Sequence, residues 1–370
     1  CTRTVGVSRC QASILTPSRS SLTPMIRLRN LTVALVLGIA YATATAQPQS
    51  SEQRVADSSR FRALNLPAPN DVRNGAGRPG VRYWQQRVDY RITATLDPAR
   101  NEVRGREIVH YVNRSPDALR SIWFFVEQNM CEPSSITNTL NQPPLVFLNS
   151  SFDFSCQGFA GGGHLDSIRI AGAEPRHTRY GTTMRVDLAT PLAPGAAVDV
   201  ALAWHFNVPA QGGGRMGHDG PLYEIAQWYP RVAVYDDVRG WNHEPYIGAG
   251  EFYLEYGSFD VSLTVPREYI VAATGQLGNA DTVLTTTQRA RLAKARTSDT
   301  PVAIITRDEA GDATKTRPAA PASLTWRFRA DSVRDFAFAA GPAFRWDASG
   351  YNGVLIETLY RTSAPLWEEA

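Results

Sequence analysis

The sequence predicts a mainly β protein in which residues 83–361 fold as a large antiparallel β domain of packed or curved sheets. Two observations lead to this prediction. Apolar and polar residues alternate with a period of two in several separate segments, which is typical of strands with one buried face. Proline and glycine separate these segments, as at residues 191–195 and 212–220, and only one internal segment has the pattern of a helix.

The alternation defines six strand segments. In the first segment, the apolar positions are Tyr90, Ile92, Ala94 and Leu96. A turn at residues 97–101 then leads into a second segment, residues 103–112, which we expect to pair back on the first. The other segments are residues 198–206, 259–265, 324–328 and 354–360.

A capping box predicts the one internal helix. Thr285 and Gln288 have the spacing of an N-cap residue and its partner in the first turn, and residues 289–295 continue the helix. After the helix, residues 297–323 have no apolar period and are rich in threonine, aspartate, alanine and proline. We therefore expect a surface excursion between strands in this segment.

A secretory signal peptide is predicted over residues 25–46. Met25 is the first plausible start, and two arginines follow it in a short cationic segment. An apolar stretch at residues 31–40 and small residues at 44–46 complete the pattern. We therefore expect a secreted or periplasmic protein with no integral membrane segment after cleavage. The alternative is a membrane anchor, but the apolar run is short for a span and no basic cluster follows it.

The segments on either side of this leader have different interpretations. Residues 1–24 are expected to be a spurious upstream extension, because the chain begins with cysteine and not methionine. Residues 47–82 are rich in serine, proline, glycine and arginine and are interpreted as a flexible linker. Without the five arginines of residues 1–46, the sequence has 33 basic and 35 acidic residues. No basic surplus remains, so no nucleic-acid partner is expected.

Two cysteines, Cys131 and Cys156, follow the leader. In an oxidising compartment they are candidates for a disulfide, which would close a loop of about 25 residues and contribute about 3 kcal/mol in the chain-entropy model. Two unpaired buried thiols are the alternative. The spacing of these cysteines excludes a C-x-x-C redox or zinc motif.

The sequence contains no standard catalytic or metal-binding motif. A helical H-E-x-x-H zinc site needs histidines four residues apart, whereas His243 is followed by Glu244, Pro245 and, at the fourth position, Ile247. Pro245 would also interrupt a helix. A G-x-S-x-G nucleophile elbow is absent, and the glycine runs lack the lysine of a phosphate-binding loop. We therefore assign no catalytic residue and no metal ligand to this chain.

The most distinctive segment, residues 227–257, combines aromatic residues with glycines and acids, which suggests a pocket wall or a sheet edge. A pair of carboxylates such as Asp237 and Glu251 could serve a glycosidase. The alternative is that the acids are turn and rim residues on strands. The acids concerned are Asp236, Asp237, Glu244, Glu251 and Glu255.

This segment resembles the N-terminal β domain of aminopeptidase-N-like (gluzincin) zinc metallopeptidases, in particular their secreted bacterial branch. The matching signatures are W-Y-P at Trp228–Pro230 and G-E-F-Y-x-E-Y-G-x-F-D-V, which begins at Gly250. Three more segments resemble the opening hairpin, a strand with its turn and the penultimate strand of that domain. They are residues 90–116, 262–275 and 333–340.

The resemblance implies a saddle-like β-sheet sandwich that forms the N-terminal, non-catalytic part of an enzyme removing N-terminal residues from peptides. In that family Zn²⁺ is held by an H-E-x-x-H helix and a downstream glutamate, in a domain that follows the β domain. Residues 362–370, with Ser363 as a candidate N-cap, are similar to the truncated start of that α-helical catalytic domain. This chain lacks the zinc ligands, so we expect it to be inactive alone.

One substrate-binding residue follows from the resemblance. In relatives, a glutamine of the β domain helps to line the pocket for the first side chain of the substrate, and Gln227 is the nearest match. The alternative is a glutamine whose amide satisfies backbone groups between strands. A second functional hypothesis is a stand-alone secreted β module that binds carbohydrate or protein through exposed aromatic residues. The candidates are Trp228, Tyr229, Trp241 and Tyr253.

Overall fold

The computed structural model describes residues 69–136, 145–147, 150–152, 159–210, 215–246 and 252–368. The chain divides into two units, residues 1–66 and residues 67–370, and all described residues belong to the second. The predicted upstream extension and signal peptide lie outside the described residues and stay predictions. None of the helices among the described residues has the length and apolar character of a membrane span.

The described residues confirm a mainly β fold. The first eleven strands are β1 (Arg87–Asp97), β2 (Glu102–Val112), β3 (Leu119–Phe125), β4 (Leu145–Phe147), β5 (Ser150–Phe152), β6 (His164–Ile170), β7 (His177–Tyr180), β8 (Thr183–Leu192), β9 (Ala197–Asn207), β10 (Met216–Asp219) and β11 (Leu222–Ile225). The other eleven are β12 (Arg231–Val232), β13 (Tyr235–Asp236), β14 (Gly240–Trp241), β15 (Gly257–Pro266), β16 (Ile270–Ala273), β17 (Gln276–Leu277), β18 (Val302–Ile305), β19 (Ser323–Val333), β20 (Phe338–Gly341), β21 (Phe344–Tyr351) and β22 (Val354–Arg361).

Among the described residues the helices are few and short. They are α1 (Ala280–Val283), α2 (Thr286–Ala295) and α3 (Ala313–Thr316), with 3₁₀ helices at Glu127–Cys131 and Pro365–Glu368.

A seven-stranded sheet with the order β17-β19-β15-β1-β2-β9-β6 forms the centre of the fold. Two four-stranded sheets, β12-β3-β8-β7 and β10-β11-β20-β16, supply further apolar side chains to the same core, and β18-β21-β22 forms a smaller sheet. One hydrophobic cluster joins the inner faces, with Ile122 and Phe124 from one sheet and Val109, Phe259 and Trp326 from another. This layering explains the period-two pattern, since each long strand buries alternate side chains.

All six predicted strand segments are confirmed, and they lie within β1, β2, β9, β15, β19 and β22. The first two strands pair back on each other as predicted, with Arg87 opposite Val112 and Asp97 opposite Glu102.

The predicted antiparallel architecture is confirmed with one exception in the seven-stranded sheet: β1 and β15 are parallel, with Tyr90 beside Phe259. Alternation reports which face of a strand is buried and not the direction of its neighbour, so the sequence pattern does not show this pairing. Gly257 permits the close approach at the start of β15. A Cβ atom at this position would lie 1.6 Å from the carbonyl oxygen of Val88.

The predicted helix is confirmed as α2. The Thr285 side chain accepts a hydrogen bond from the Gln288 backbone amide, and the Gln288 side chain accepts one from the Thr285 amide. The expected surface excursion after this helix is wrong for residues 302–305. They form β18, in which Ile304 and Ile305 are fully buried, and four residues are too few to show a period.

The capping box gives a direct test of helix stability. Replacing Thr285 with alanine removes the side-chain acceptor for the Gln288 amide, so we expect the free energy of unfolding to fall by about 1 kcal/mol. Urea unfolding followed by circular dichroism measures the change. Thr287→Ala is the matched control, since Thr287 is exposed within the same helix. Equal losses in the two variants would contradict the capping role.

The described part of the predicted linker, residues 69–82, contacts the β domain. A bridge joins Arg73 to Pro79, and the Arg73 guanidinium donates hydrogen bonds of 2.6 and 2.8 Å to the two carboxylate oxygens of Asp237. The ion pair therefore holds the segment that precedes β1 against the loop that follows β13.

Candidate functional site

Gln227 lies in the short connection between β11 and β12. Its backbone has a φ of +54°, in the left-handed region that residues other than glycine seldom adopt, and only 6% of the residue is exposed. The Gln128 side-chain amide, on the 3₁₀ helix Glu127–Cys131, donates a hydrogen bond to the Gln227 carbonyl oxygen. The connection is therefore held against this 3₁₀ helix in one uncommon backbone conformation.

A narrow cavity of about 20 Å³ borders Gln227. Glu127, Gln128 and Arg215 line the same cavity. A space of this size holds about one water molecule and no amino-acid side chain. The described residues around Gln227 therefore enclose no cavity large enough for an amino-acid side chain.

A buried ionic network lies beside this wall. The Arg231 side chain has no exposed surface, and its guanidinium donates hydrogen bonds to the carboxylates of Glu127 and Asp335, the latter over 2.5 Å. The Tyr229 hydroxyl donates to the other Asp335 oxygen over 2.8 Å. The Arg231 guanidinium also lies 4.7 Å from the centroid of the Phe252 ring.

The charges in this network stabilise each other. Burial opposes the charge of Arg231, but Glu127 and Asp335 raise the pKa of its guanidinium above the ordinary value. Burial raises the pKa of Glu127, and the Arg231 guanidinium counteracts this shift. Through Arg231, the network therefore links the segment after Gln227 to two parts of the chain that are distant in sequence. These are the 3₁₀ helix that contains Glu127 and the residues before β20, which include Asp335.

The structure shows that two of the four proposed carbohydrate-binding aromatics are core residues. Trp228 is 0% exposed and donates a hydrogen bond of 2.8 Å from Nε1 to the Phe336 carbonyl, and Tyr229 is 1% exposed. The prediction that they form an exposed surface is wrong, because both rings pack in the hydrophobic core between the sheets. Trp241 is half-buried against Tyr235, and Tyr253 is exposed.

The acids of residues 236–255 have different local roles. The hydrogen bonds from Arg73 lower the pKa of Asp237, and Asp236 accepts hydrogen bonds from the backbone amides of Val238 and Arg239. Burial raises the pKa of Glu255 to about 7, although the positive charge of Arg334 acts to lower it.

These roles bear on the glycosidase hypothesis, which paired Asp237 with Glu251. Both carboxylate oxygens of Asp237 accept hydrogen bonds from one guanidinium, so this side chain is held in an ion pair. Glu251 lies outside the described residues, so the carboxylate pair stays untested.

Cys131 is buried and disulfide-bonded. It packs with Met130 against Phe159 and Tyr246 in a small apolar cluster. Cys156, its predicted partner, lies outside the described residues, so the pairing itself stays a prediction.

No group of three or more histidine, cysteine, aspartate or glutamate side chains could hold a metal ion within the described ranges. His243, which begins the H-E-P-Y-I segment, stacks on Trp123 with ring centroids 3.9 Å apart. The described residues therefore do not fit the zinc centre of the family that the sequence resembles.

The Arg231 network and the role of Gln128 were not predicted from the sequence. Each acidic partner of Arg231 lies 104 residues away along the chain. No local spacing indicates such a contact. One local feature could have indicated the network: Arg231 directly follows W-Y-P and begins an apolar run. A charged side chain that is buried with such a run needs oppositely charged partners.

No protein-family model matches the sequence, and no curated protein matches it. Among solved structures, an M1 zinc metallopeptidase from Deinococcus radiodurans is similar at 12% identity and a TM-score of 0.41, over 77% of this chain and 49% of that chain. A mutant of it bound to a Tyr-Ser-Ala substrate gives 13% identity and a TM-score of 0.41, over 75% and 48%. The chain spans about half the length of these solved structures.

Proposed function

We propose that this chain is the N-terminal, non-catalytic β portion of a secreted zinc aminopeptidase and that it helps to shape the cleft for the peptide substrate. The observation that carries the proposal is the placement of Gln227. The residue that the family resemblance assigns to substrate binding lies at a fixed, uncommon backbone conformation, beside a buried ionic network that anchors the following strand.

The cavity beside Gln227 admits about one water, so a substrate side chain would bind outside this cavity, between the β portion and another domain. In the proposed enzyme that second domain is the catalytic domain, which carries the Zn²⁺ ion and its ligands. The leader-like residues 25–46 support a secreted or periplasmic location.

Peptidase assays of the 370-residue chain and of the whole gene product test this proposal. We expect the chain alone to release no product from aminoacyl-4-nitroanilides, with or without added Zn²⁺. The whole gene product is expected to release it and to lose the activity on chelation. A gene product that consists of this chain alone and binds glycans or a protein partner would favour the stand-alone module instead.

Within an active whole protein, Gln227→Ala is expected to lower kcat/KM by about 10- to 100-fold, because the proposed contact of this side chain with the substrate is lost. Gln276→Ala is the matched control, since Gln276 is an exposed glutamine in β17. The unfolding midpoint of the Gln227 variant separates a loss of substrate contact from a loss of folding. Unchanged kinetics with an unchanged midpoint would contradict the assignment.

A further inference from the structure

Two arginines, Arg267 and Arg317, meet where the turn between β15 and β16 contacts the segment that follows α3. The Arg267 guanidinium donates a hydrogen bond of 3.1 Å from Nη1 to the carbonyl oxygen of Pro318, the residue after Arg317. The Arg317 guanidinium donates one of 2.8 Å from Nη2 to the carbonyl oxygen of Glu268, the residue after Arg267. Each arginine therefore reaches the backbone beside the other, and their positive charges lie close together.

Three carbonyl oxygens hold the Arg317 side chain in place. Besides that of Glu268, they are the carbonyl oxygens of Tyr269, 3.1 Å from Nε, and Thr316, 2.7 Å from Nη1. Only 3% of Arg317 is exposed. A guanidinium has five N–H groups, so these bonds leave one donor on each Nη atom unused. Arg317 is therefore a positioned, buried cation with spare hydrogen-bonding capacity.

The charge of this arginine pair is not neutralised within the protein. Neither Arg267 nor Arg317 forms an ion pair with a carboxylate among the described residues, whereas buried Arg231 pairs with two. Burial and the nearby charge of Arg267 lower the pKa of Arg317 to about 9, although the charge of Glu268 acts to raise it. Arg317 thus remains cationic at neutral pH, in surroundings that make its charge unfavourable.

A purely structural role accounts for the hydrogen bonds of the arginine pair but not for its charge. Neutral side-chain amides also donate to carbonyl oxygens, whereas two guanidinium groups side by side repel each other. An anion shared by both groups removes this repulsion and accepts charge-assisted hydrogen bonds from each. Arg267 is half-buried, so the pair reaches the surface, where an ion from solution has access.

We propose that Arg267 and Arg317 bind a tetrahedral oxyanion such as phosphate or sulfate. The anion accepts hydrogen bonds from N–H groups that the backbone carbonyls leave unused, and it links the β15–β16 turn to the segment after α3. The exposed carboxylate of Glu268 opposes binding of an anion, so we expect a Kd of about 5 mM. The proposal does not rest on the peptidase role, which separate assays test.

Urea unfolding of the full 370-residue chain in inorganic phosphate tests the proposal. Ionic strength is held constant with sodium chloride near neutral pH. Addition of phosphate to about 50 mM should lower the equilibrium constant of unfolding about tenfold, as expected for a Kd of about 5 mM. Because phosphate also stabilises folded proteins through exclusion from their surface, the decisive comparison is between wild type and variants.

Arg267→Gln keeps a donor for the Pro318 carbonyl but removes one charge of the arginine pair. It should reduce the effect of phosphate to about twofold or less, while Arg267→Lys, which keeps the charge, should retain more of it. Arg91→Gln, the matched control, removes an exposed arginine on β1 and should show the full effect. An equal effect of phosphate in wild type and Arg267→Gln, or no effect in wild type, would overturn the proposal.

A second measurement needs no variant. The phosphorus NMR line of phosphate should broaden in the presence of the wild-type chain and sharpen again when sulfate displaces it. A line that sulfate does not affect at constant ionic strength would contradict a shared oxyanion site. Glycerol 3-phosphate in place of phosphate distinguishes the sources of the anion. Equal stabilisation would extend the site to the phosphate group of an organic molecule, and a smaller effect would assign it to the free ion.

Discussion

Replacing Arg231 with methionine is expected to lower the free energy of unfolding by about 3–5 kcal/mol, because it leaves buried carboxylate charge without its partner. The Glu127 side chain is almost fully buried and loses its one described cationic partner. Asp335 also loses a charge-assisted hydrogen bond. Urea unfolding of the 370-residue chain near neutral pH measures the loss.

Two further variants make this prediction specific. Arg329→Met removes a surface ion pair with Asp260, in which both side chains are well exposed, so it should cost at most about 1 kcal/mol. Adding Glu127→Gln to Arg231→Met removes one unpaired charge and should recover part of the stability. A loss below about 1 kcal/mol for Arg231→Met would show that the buried network contributes little to folding.

Replacing Glu107 with leucine is expected to stabilise the protein by about 1–4 kcal/mol near neutral pH, because a carboxyl group leaves the core. Glu107 lies on the buried face of β2, between Ile92 on β1 and Leu202 on β9. Neither of its carboxyl oxygens has a hydrogen-bond partner among the described residues. Burial therefore raises the pKa of Glu107 well above its ordinary value of 4.5.

The sign of the pH dependence follows from this shift. Above about pH 4.5 the unfolded chain releases the Glu107 proton while the folded chain keeps it, so rising pH favours unfolding. In this range the wild type should lose up to about 1.4 kcal/mol per pH unit relative to Glu107→Leu. Unfolding free energies at about pH 5, 6, 7 and 8 measure the difference.

The matched control is Glu224→Leu, which replaces an exposed glutamate on β11. Replacement of this exposed side chain should change the free energy of unfolding by no more than about 0.5 kcal/mol at each of these pH values. If the Glu107→Leu difference is also constant between about pH 5 and 8, Glu107 is not kept protonated by burial.

The long strands and the one capped helix were predictable because their signals are local. Alternation in β1, β2 and β9 reflects one buried face, and the Thr285–Gln288 pair depends on residues three apart. The parallel position of β15 beside β1 could not be predicted, since strand direction depends on the connection between them and not on the pattern within either strand.

The same contrast applies to the candidate sites. Gln227 was proposed as a substrate contact from its place before a short motif, but its φ and the hydrogen bond from Gln128 depend on contacts from another part of the chain. Trp228 and Tyr229 were assigned to a surface because an aromatic cluster has the same composition in a core and in a binding face.

The central position of β1 has a consequence for synthesis on the ribosome. β1 is one of the first strands to be made, but one of its two neighbours in the sheet begins only at Gly257. Until then, the hairpin of β1 and β2 has an open edge of unpaired backbone groups, which is prone to pair with other chains. We therefore expect folding that is slow and dominated by non-local contacts, and a nascent chain that depends on chaperones until β15 has emerged.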